Sequence, residues 1–167
     1  SQLEGSIKRE NSSYIDKICE TTPLISNIQE AVRNGEQVSK LTVMGSRVYL
    51  PMYNKADSVD LDTDLDIKVD LGEAFEEFAS GKSGSDEDFA KEFLKSILGE
   101  AHQYEISEFH RFPDDAKRPL KNFNIVAKSI NKAGPDLDLT AYGKDYQLDD
   151  PMCSIDGNHM FFTPDGT

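Results

Sequence analysis

The run VDLDTDLDIKVDL, from Val59 to Leu71, carries aspartates at 60, 62, 64, 66 and 70, separated mostly by apolar residues. Residues two apart point to opposite sides of a helix but leave the same face of a strand, so this alternation reads as a β-strand. Val59, Leu61, Leu65, Ile67 and Val69 would then line a buried face, and Asp60, Asp62, Asp64 and Asp66 would share the other. A strand of this kind needs a sheet with an apolar layer on one side. Its acidic side needs another explanation, because neighbouring carboxylates repel and Asp is a poor strand former. An offsetting cation is one answer, since hard divalent metals take carboxylate oxygens. A solvated acidic strand in an acidic protein is the other.

The surrounding sequence supplies the elements such a sheet requires. Between about residues 13 and 34, Ile15, Ile18, Cys19, Leu24, Ile25, Ile28, Ala31 and Val32 recur at helical spacing, interrupted by Pro23. Two helices or one kinked helix follow, with Gly35 as the stop. KLTVMGSRVYL (40–50) reads as a short strand entering a tight turn at Gly45-Ser46, and PMYNKADS after it as loop. A short helix is expected over 72–81. The next helix begins after Ser85, which forms a capping-box variant with Asp88, and carries Phe89, Phe93, Leu94, Ile97, Leu98 and Ala101 on one stripe. Segments 102–112, 123–130 and 136–142 read as strands, the last two joined by a turn, and the tail at 147–167 reads as loop-rich. The expected class is α+β, a mixed β-sheet with flanking helices, in a single domain over 1–167. Its N-terminal helices span about 13–34 and its core about 40–146.

With 37% hydrophobic and 29% charged residues among 167, the chain has the composition of a soluble globular domain. It has no apolar run long enough to span a bilayer, and SQLEGSIKRENSS lacks the basic-then-apolar pattern of a secretory leader. Cys19 and Cys153 have no metal-ligand spacing and imply no disulfide framework. The expectation is a cytoplasmic protein with no membrane partner, a secreted effector remaining the alternative. A net charge of −13 argues against an extended nucleic-acid surface, which needs clustered Lys and Arg. Any nucleotide bound here should be small and carried with metal.

Several chemistries fail on inspection. DLDTDLDIKVDL begins like a calcium-binding EF-hand loop, yet the positions requiring Gly and Glu hold Leu65 and Leu71. His102, His110 and His159 have no partner pattern for nucleophilic catalysis, and no Gly-Lys-Ser/Thr follows a glycine-rich turn. One constellation survives. Gly45-Ser46 ends an apolar strand, Asp64-Leu65-Asp66-Ile67 follows after seventeen intervening residues (47–63), and Leu137-Asp138-Leu139 lies on a later strand.

This order resembles the signature of the DNA polymerase β-like nucleotidyltransferase superfamily: a Gly-Ser turn, an Asp-apolar-Asp pair and a third acid on an adjacent strand. The long gap after Gly-Ser is most similar to the cGAS/DncV-like branch, the bacterial cyclic dinucleotide synthases, in which the strand of the third acid looks like DLDLTAYGKDY. The resemblance covers roughly 41–146. It implies a polymerase β-like core with Asp64, Asp66 and Asp138 as catalytic metal ligands, Mg²⁺ or Mn²⁺ as cofactor, and Gly45 and Ser46 at the triphosphate. Asp60-Leu61-Asp62 is the fallback pair and Asp136 the alternative third acid.

The implied reaction is NMP transfer from a nucleoside triphosphate, ATP among the candidates, with release of pyrophosphate. A cyclic or linear oligonucleotide signal, as in antiviral defence, is the leading product. NMP transfer to a protein or tRNA acceptor, as by a toxin or effector, is the alternative, and so is a degenerate domain that only binds a nucleotide or cation. Two departures bear on this choice. The cyclase branch carries a helical C-terminal domain that these 167 residues do not include. Arg47-Val48 also replaces the small or polar residues usual after Gly-Ser. Lys121, Lys128, Tyr142 and Lys144 are further pocket candidates because they lie near the third acid in sequence.

Overall fold

A computed structural model describes residues 15–34, 40–52, 63–80, 84–98, 104–130, 135–143, 152–155 and 160–163. Helix α1 covers 15–21. It ends where the Thr22 N–H donates to Ile18 O at 3.0 Å. Pro23 immediately precedes α2 (Leu24–Asn34), where a missing N–H costs nothing, so the interrupted pattern resolves as two helices. Strand β1 (Lys40–Met44) leads through Gly45 into α3 (Ser46–Met52), which takes in Pro51 and Met52 from the segment expected to be loop.

Strand β2 (Leu65–Asp70) is the described part of the aspartate strand, and residues 59–62 lie outside the described residues. Helices α4 (Glu73–Ala79) and α5 (Asp86–Leu98) follow, close to their expected bounds. Ser85 caps α5 as its spacing implied, its Oγ accepting the Asp88 N–H at 3.2 Å. The chain continues through β3 (Tyr104–Phe112), β4 (Asn122–Ser129) and β5 (Leu137–Tyr142). The tail differs from its loop-rich reading by contributing a hairpin, β6 (Met152–Ile155) and β7 (Met160–Thr163). Each of these strands has four residues, too short for alternation to register in the sequence.

The result is an α+β architecture built on a seven-stranded mixed sheet in the order β3-β4-β5-β2-β1-β6-β7. Only β2 and β5 run parallel; the other neighbours are antiparallel. A parallel pair cannot be joined by a tight turn. Helices α4 and α5 and the β3–β4 hairpin make the connection instead.

One face of the sheet is the core. Leu41 and Val43, Leu65, Ile67 and Val69, Phe123, Ile125 and Ala127, and Leu137, Leu139 and Ala141 are all 0–1% exposed on it. Ile25 and Ile28 of α2 and Phe93, Leu94 and Ile97 of α5 belong to the same cluster. Phe123 anchors its aromatic part, with ring centroids 6.4 Å from Phe75, 6.2 Å from Phe89 and 5.8 Å from Phe109. Gly143 allows this packing, since a Cβ there would lie 2.9 Å from Phe75 Cδ1. Among the described residues no helix is long and apolar enough to cross a membrane.

Because Phe123 joins three elements from a fully buried position, Phe123→Ala should cost about 3–5 kcal/mol of unfolding free energy. Urea denaturation monitored by circular dichroism measures this. A loss below about 1 kcal/mol would mean that the aromatic cluster does not hold α4 and α5 to the sheet.

Candidate functional site

The face opposite the core carries the polar residues of the same strands. With Leu65, Ile67 and Val69 buried, Asp66, Lys68 and Asp70 point the other way by strand alternation. Backbone pairing then brings distant residues into line. Asp66 is the register partner of Asp138 on β5 and of Met44 on β1. Neighbouring strands lie about 4.8 Å apart, so Asp66 and Asp138 are adjacent.

Gly45 completes this end of the sheet. Its φ of +76° is a left-handed conformation that favours glycine. A Cβ there would lie 3.4 Å from Asp66 Cβ and 3.8 Å from Asp66 Oδ2. Its carbonyl accepts the N–H groups of Val48 and Tyr49, each at 3.0 Å, which starts α3 and leaves Ser46 exposed at the first turn. Three motif pieces that are far apart in sequence therefore meet at one end of β1, β2 and β5.

Asp64 precedes β2 rather than lying within it. The residue is exposed, yet partial burial of its carboxyl raises its pKa above the ordinary value, and the charges of Asp136 and Asp138 raise it further. The Arg47 guanidinium opposes them. Asp64 and Asp138 thus stand close enough to repel.

Two aspartates near the site have structural duties. Asp136 Oδ1 accepts the Ser129 N–H at 2.8 Å, and its carbonyl accepts the Leu65 N–H at 2.8 Å, opening the β2–β5 ladder. Asp70 Oδ1 accepts the Gly72 N–H at 2.8 Å, closing the turn into α4. Asp60 and Asp62 lie outside the described residues.

Arg47 has a role that its position after Gly-Ser does not announce. It is 3% exposed, and its Nε donates to Thr63 O at 2.8 Å. One of its terminal nitrogens donates to Thr21 O at 3.1 Å and to Thr22 Oγ1 at 2.8 Å. A single guanidinium therefore ties the end of α1 and the approach to β2 onto α3. Its planar fork of donors serves several acceptors at once.

Asn124 is a residue that sequence reasoning passed over. Its Nδ2 donates to Asp138 Oδ1 at 2.6 Å, with Leu139 O and Thr140 Oγ1 each at 3.1 Å. Lys68 is another. Its Nζ lies 4.0 Å from Asp66 Oδ1 and donates to Thr140 Oγ1 at 3.2 Å. Alternation puts Lys68 on the Asp66 face, but only strand pairing reveals Asn124 and Thr140 beside it.

Asp138 is thus held by Asn124, while the buried Oδ1 of Asp66 accepts no hydrogen bond among the described residues and has the Lys68 ammonium at 4.0 Å. Among the described residues no three Asp, Glu, His or Cys side chains converge as a group that could hold a metal ion. Of the other pocket candidates, Tyr142 is buried, Lys121 and Lys128 are exposed, and Lys144 lies outside the described residues. No family model, curated protein or solved structure matches the chain.

Two outcomes follow for stability. Arg47→Met strands Thr21 O, Thr63 O and Thr22 Oγ1, and should cost about 3 kcal/mol in urea unfolding. A loss within about 0.5 kcal/mol would show that the guanidinium does not clamp α1 to α3.

For Asp64, a pKa raised in the folded state means that the folded protein holds more protons than the unfolded chain between the two values. Stability then falls as pH rises through that interval. Asp64→Asn should therefore be more stable than the parent at neutral pH in EDTA and should match it below about pH 3. Equal urea midpoints at neutral pH would contradict the crowding of carboxylates here.

Proposed function

We propose that the chain is a metal-dependent nucleotidyltransferase domain of the DNA polymerase β-like kind, most similar to the cGAS/DncV-like branch. The observation that carries this reading is the meeting of Gly45 with Asp66 and of Asp66 with Asp138 at one end of the sheet. The donor set suits the implied cofactor, because Asp64, Asp66 and Asp138 offer only hard carboxylate oxygens. Bound by them, Mg²⁺ or Mn²⁺ would polarise the triphosphate and lower the pKa of the attacking hydroxyl.

The chain's own residues supply the positioning. Gly45, without a side chain, leaves room beside Asp66, and Ser46 offers an exposed hydroxyl to a phosphate oxygen. Asn124 orients the Asp138 carboxylate through its 2.6 Å hydrogen bond. A new bond forms between the acceptor oxygen and the α-phosphorus as the α–β phosphoanhydride bond breaks and pyrophosphate leaves. Orientation and electrostatics carry most of the acceleration in such a transfer.

A cyclic or linear oligonucleotide is the proposed product, consistent with a signalling role in antiviral defence. Transfer to a protein is the alternative, and the net charge of −13 makes tRNA the weaker acceptor. A non-catalytic domain of the same kind is the second reading. It is favoured by the engagement of Asp66 by Lys68 and of Asp138 by Asn124, with no metal-holding trio among the described residues.

Incubation with each labelled nucleoside triphosphate in Mg²⁺ and in Mn²⁺, with products resolved by mass, separates these readings. The transferase reading expects pyrophosphate release that Asp64→Ala/Asp66→Ala reduces at least about a hundredfold, as expected for loss of metal-ligand chemistry. Nucleotide binding without turnover would favour the non-catalytic domain. Turnover that the double variant leaves intact would contradict the assigned site.

A further inference from the structure

At the end of the sheet away from Gly45, residues 113–121 join β3 to β4. Phe112, Asn122 and Tyr142 pair across β3, β4 and β5 at that end, whereas Asp138 pairs with Val126, four residues further along β4. At about 3.3 Å per residue this places the loop roughly 13 Å along the strand from the acidic site. The connection is also longer than the roughly two to five residues usual for a hairpin, and positioned loops are where binding residues concentrate.

The loop is held in one shape. Arg111 donates through Nε to Asp86 Oδ2 at 2.7 Å, and one of its terminal nitrogens donates to Pro113 O at 2.8 Å and to Asp115 O at 2.7 Å. Asp115 Oδ1 accepts the Lys117 N–H at 2.9 Å, and the Lys121 N–H closes the loop on Phe112 O at 2.8 Å. Leu120, buried in the core cluster, pins its far side. Arg111 and Asp86 thereby fix the loop to the start of α5.

What this frame presents differs from the rest of the chain. Phe112 is 56% exposed, the most exposed large hydrophobic residue among those described. Lys117, Arg118 and Lys121 are exposed on the same loop, and none of them forms an ion pair among the described residues. Against them stand Asp114 and Asp115, the second already engaged by the Lys117 amide. The segment 112–121 is therefore net positive in a chain whose net charge is −13. An aromatic ring left in water on a rigid loop with basic side chains has the make-up of an interface anchor.

We propose that the β3–β4 loop is a docking site for a short acidic segment of a partner protein, whose carboxylates meet Lys117, Arg118 and Lys121 and whose apolar side chain covers Phe112. Charge complementarity selects this occupant. A polynucleotide would run off a patch of three cations onto acidic surface that repels its phosphates. A second copy of the chain would bring the whole of its own negative charge against the first. A short peptide segment confines its charge to the loop, and because the loop is already ordered, binding it sacrifices little backbone freedom. The site is independent of the transferase reading.

Selection from a random peptide display library, with Lys117→Glu/Arg118→Glu/Lys121→Glu as the counter-target, tests this. The most enriched peptide is then synthesised with a fluorescent label and titrated by anisotropy. Enriched peptides should carry an excess of Asp and Glu around an aromatic residue or Leu. The labelled peptide should bind the charge-reversed variant and Phe112→Ser each about tenfold more weakly than the parent, the scale of an interface anchor. All four positions are exposed, so both variants should melt with the parent. No enrichment, no acidic excess, or unchanged affinity in the charge-reversed variant overturns the proposal. Weakening by charge reversal without weakening by Phe112→Ser reveals general attraction to a basic loop and overturns it too. An oligothymidine strand that binds more tightly than the peptide and is lost in the same variants would assign the loop to nucleic acid instead.

Discussion

The parallel pairing of β2 with β5 is the constraint from which the rest of the molecule follows. It sets Leu65, Ile67 and Val69 beside Leu137, Leu139 and Ala141 on one face, where burial of apolar surface drives folding. The same register sets Asp66 beside Asp138 on the other face, where the two charges repel. Neither consequence can be had without the other, because side chains alternate strictly between the two faces. The polar face therefore needs compensation, and it comes from Lys68, Asn124 and Arg47, each reaching the acidic end from a different element. Like charges gathered at this cost in a well-packed sheet are a common mark of a working site, where local consistency yields to chemistry.

Much of this was legible because periodicity reports face and element type directly. The alternation through Leu65, Ile67 and Val69 identified β2 and its buried side. The stripe through Phe93, Leu94 and Ile97, with Ser85 ahead of it, identified α5 and its start. Gly45 was marked by its place between an apolar strand and Ser46, and its left-handed backbone agrees with that reading. The β4–β5 turn was visible as two apolar runs flanking NKAGP, although residues 131–134 lie outside the described residues.

What the sequence did not disclose depends on pairing between strands far apart in the chain. Nothing local in MCSI or MFFT tells a four-residue strand from a loop; β6 exists through its pairing with β1. Arg47 looked like a misfit in a phosphate turn because its three acceptors, at Thr21, Thr22 and Thr63, are sixteen or more residues away. Asn124 and Thr140 become partners of Asp138 and Lys68 only through the β4–β5–β2 register. Asp136 and Asp138 each accept a hydrogen bond, from the Ser129 amide and from Asn124, and it is the strand register that puts Asp138 beside Asp66.

In the proposed transferase, Asp64, Asp66 and Asp138 would share a divalent cation at the end of the sheet beside Gly45. Anomalous diffraction from crystals grown with Mn²⁺ and a non-hydrolysable nucleoside triphosphate tests this most directly. The expected result is a manganese peak about 2.2 Å from carboxylate oxygens of both Asp66 and Asp138, with phosphate oxygens completing the coordination. An ordered nucleotide elsewhere on the protein, or Asp66 and Asp138 still engaged by Lys68 and Asn124 at saturating Mn²⁺, would contradict it.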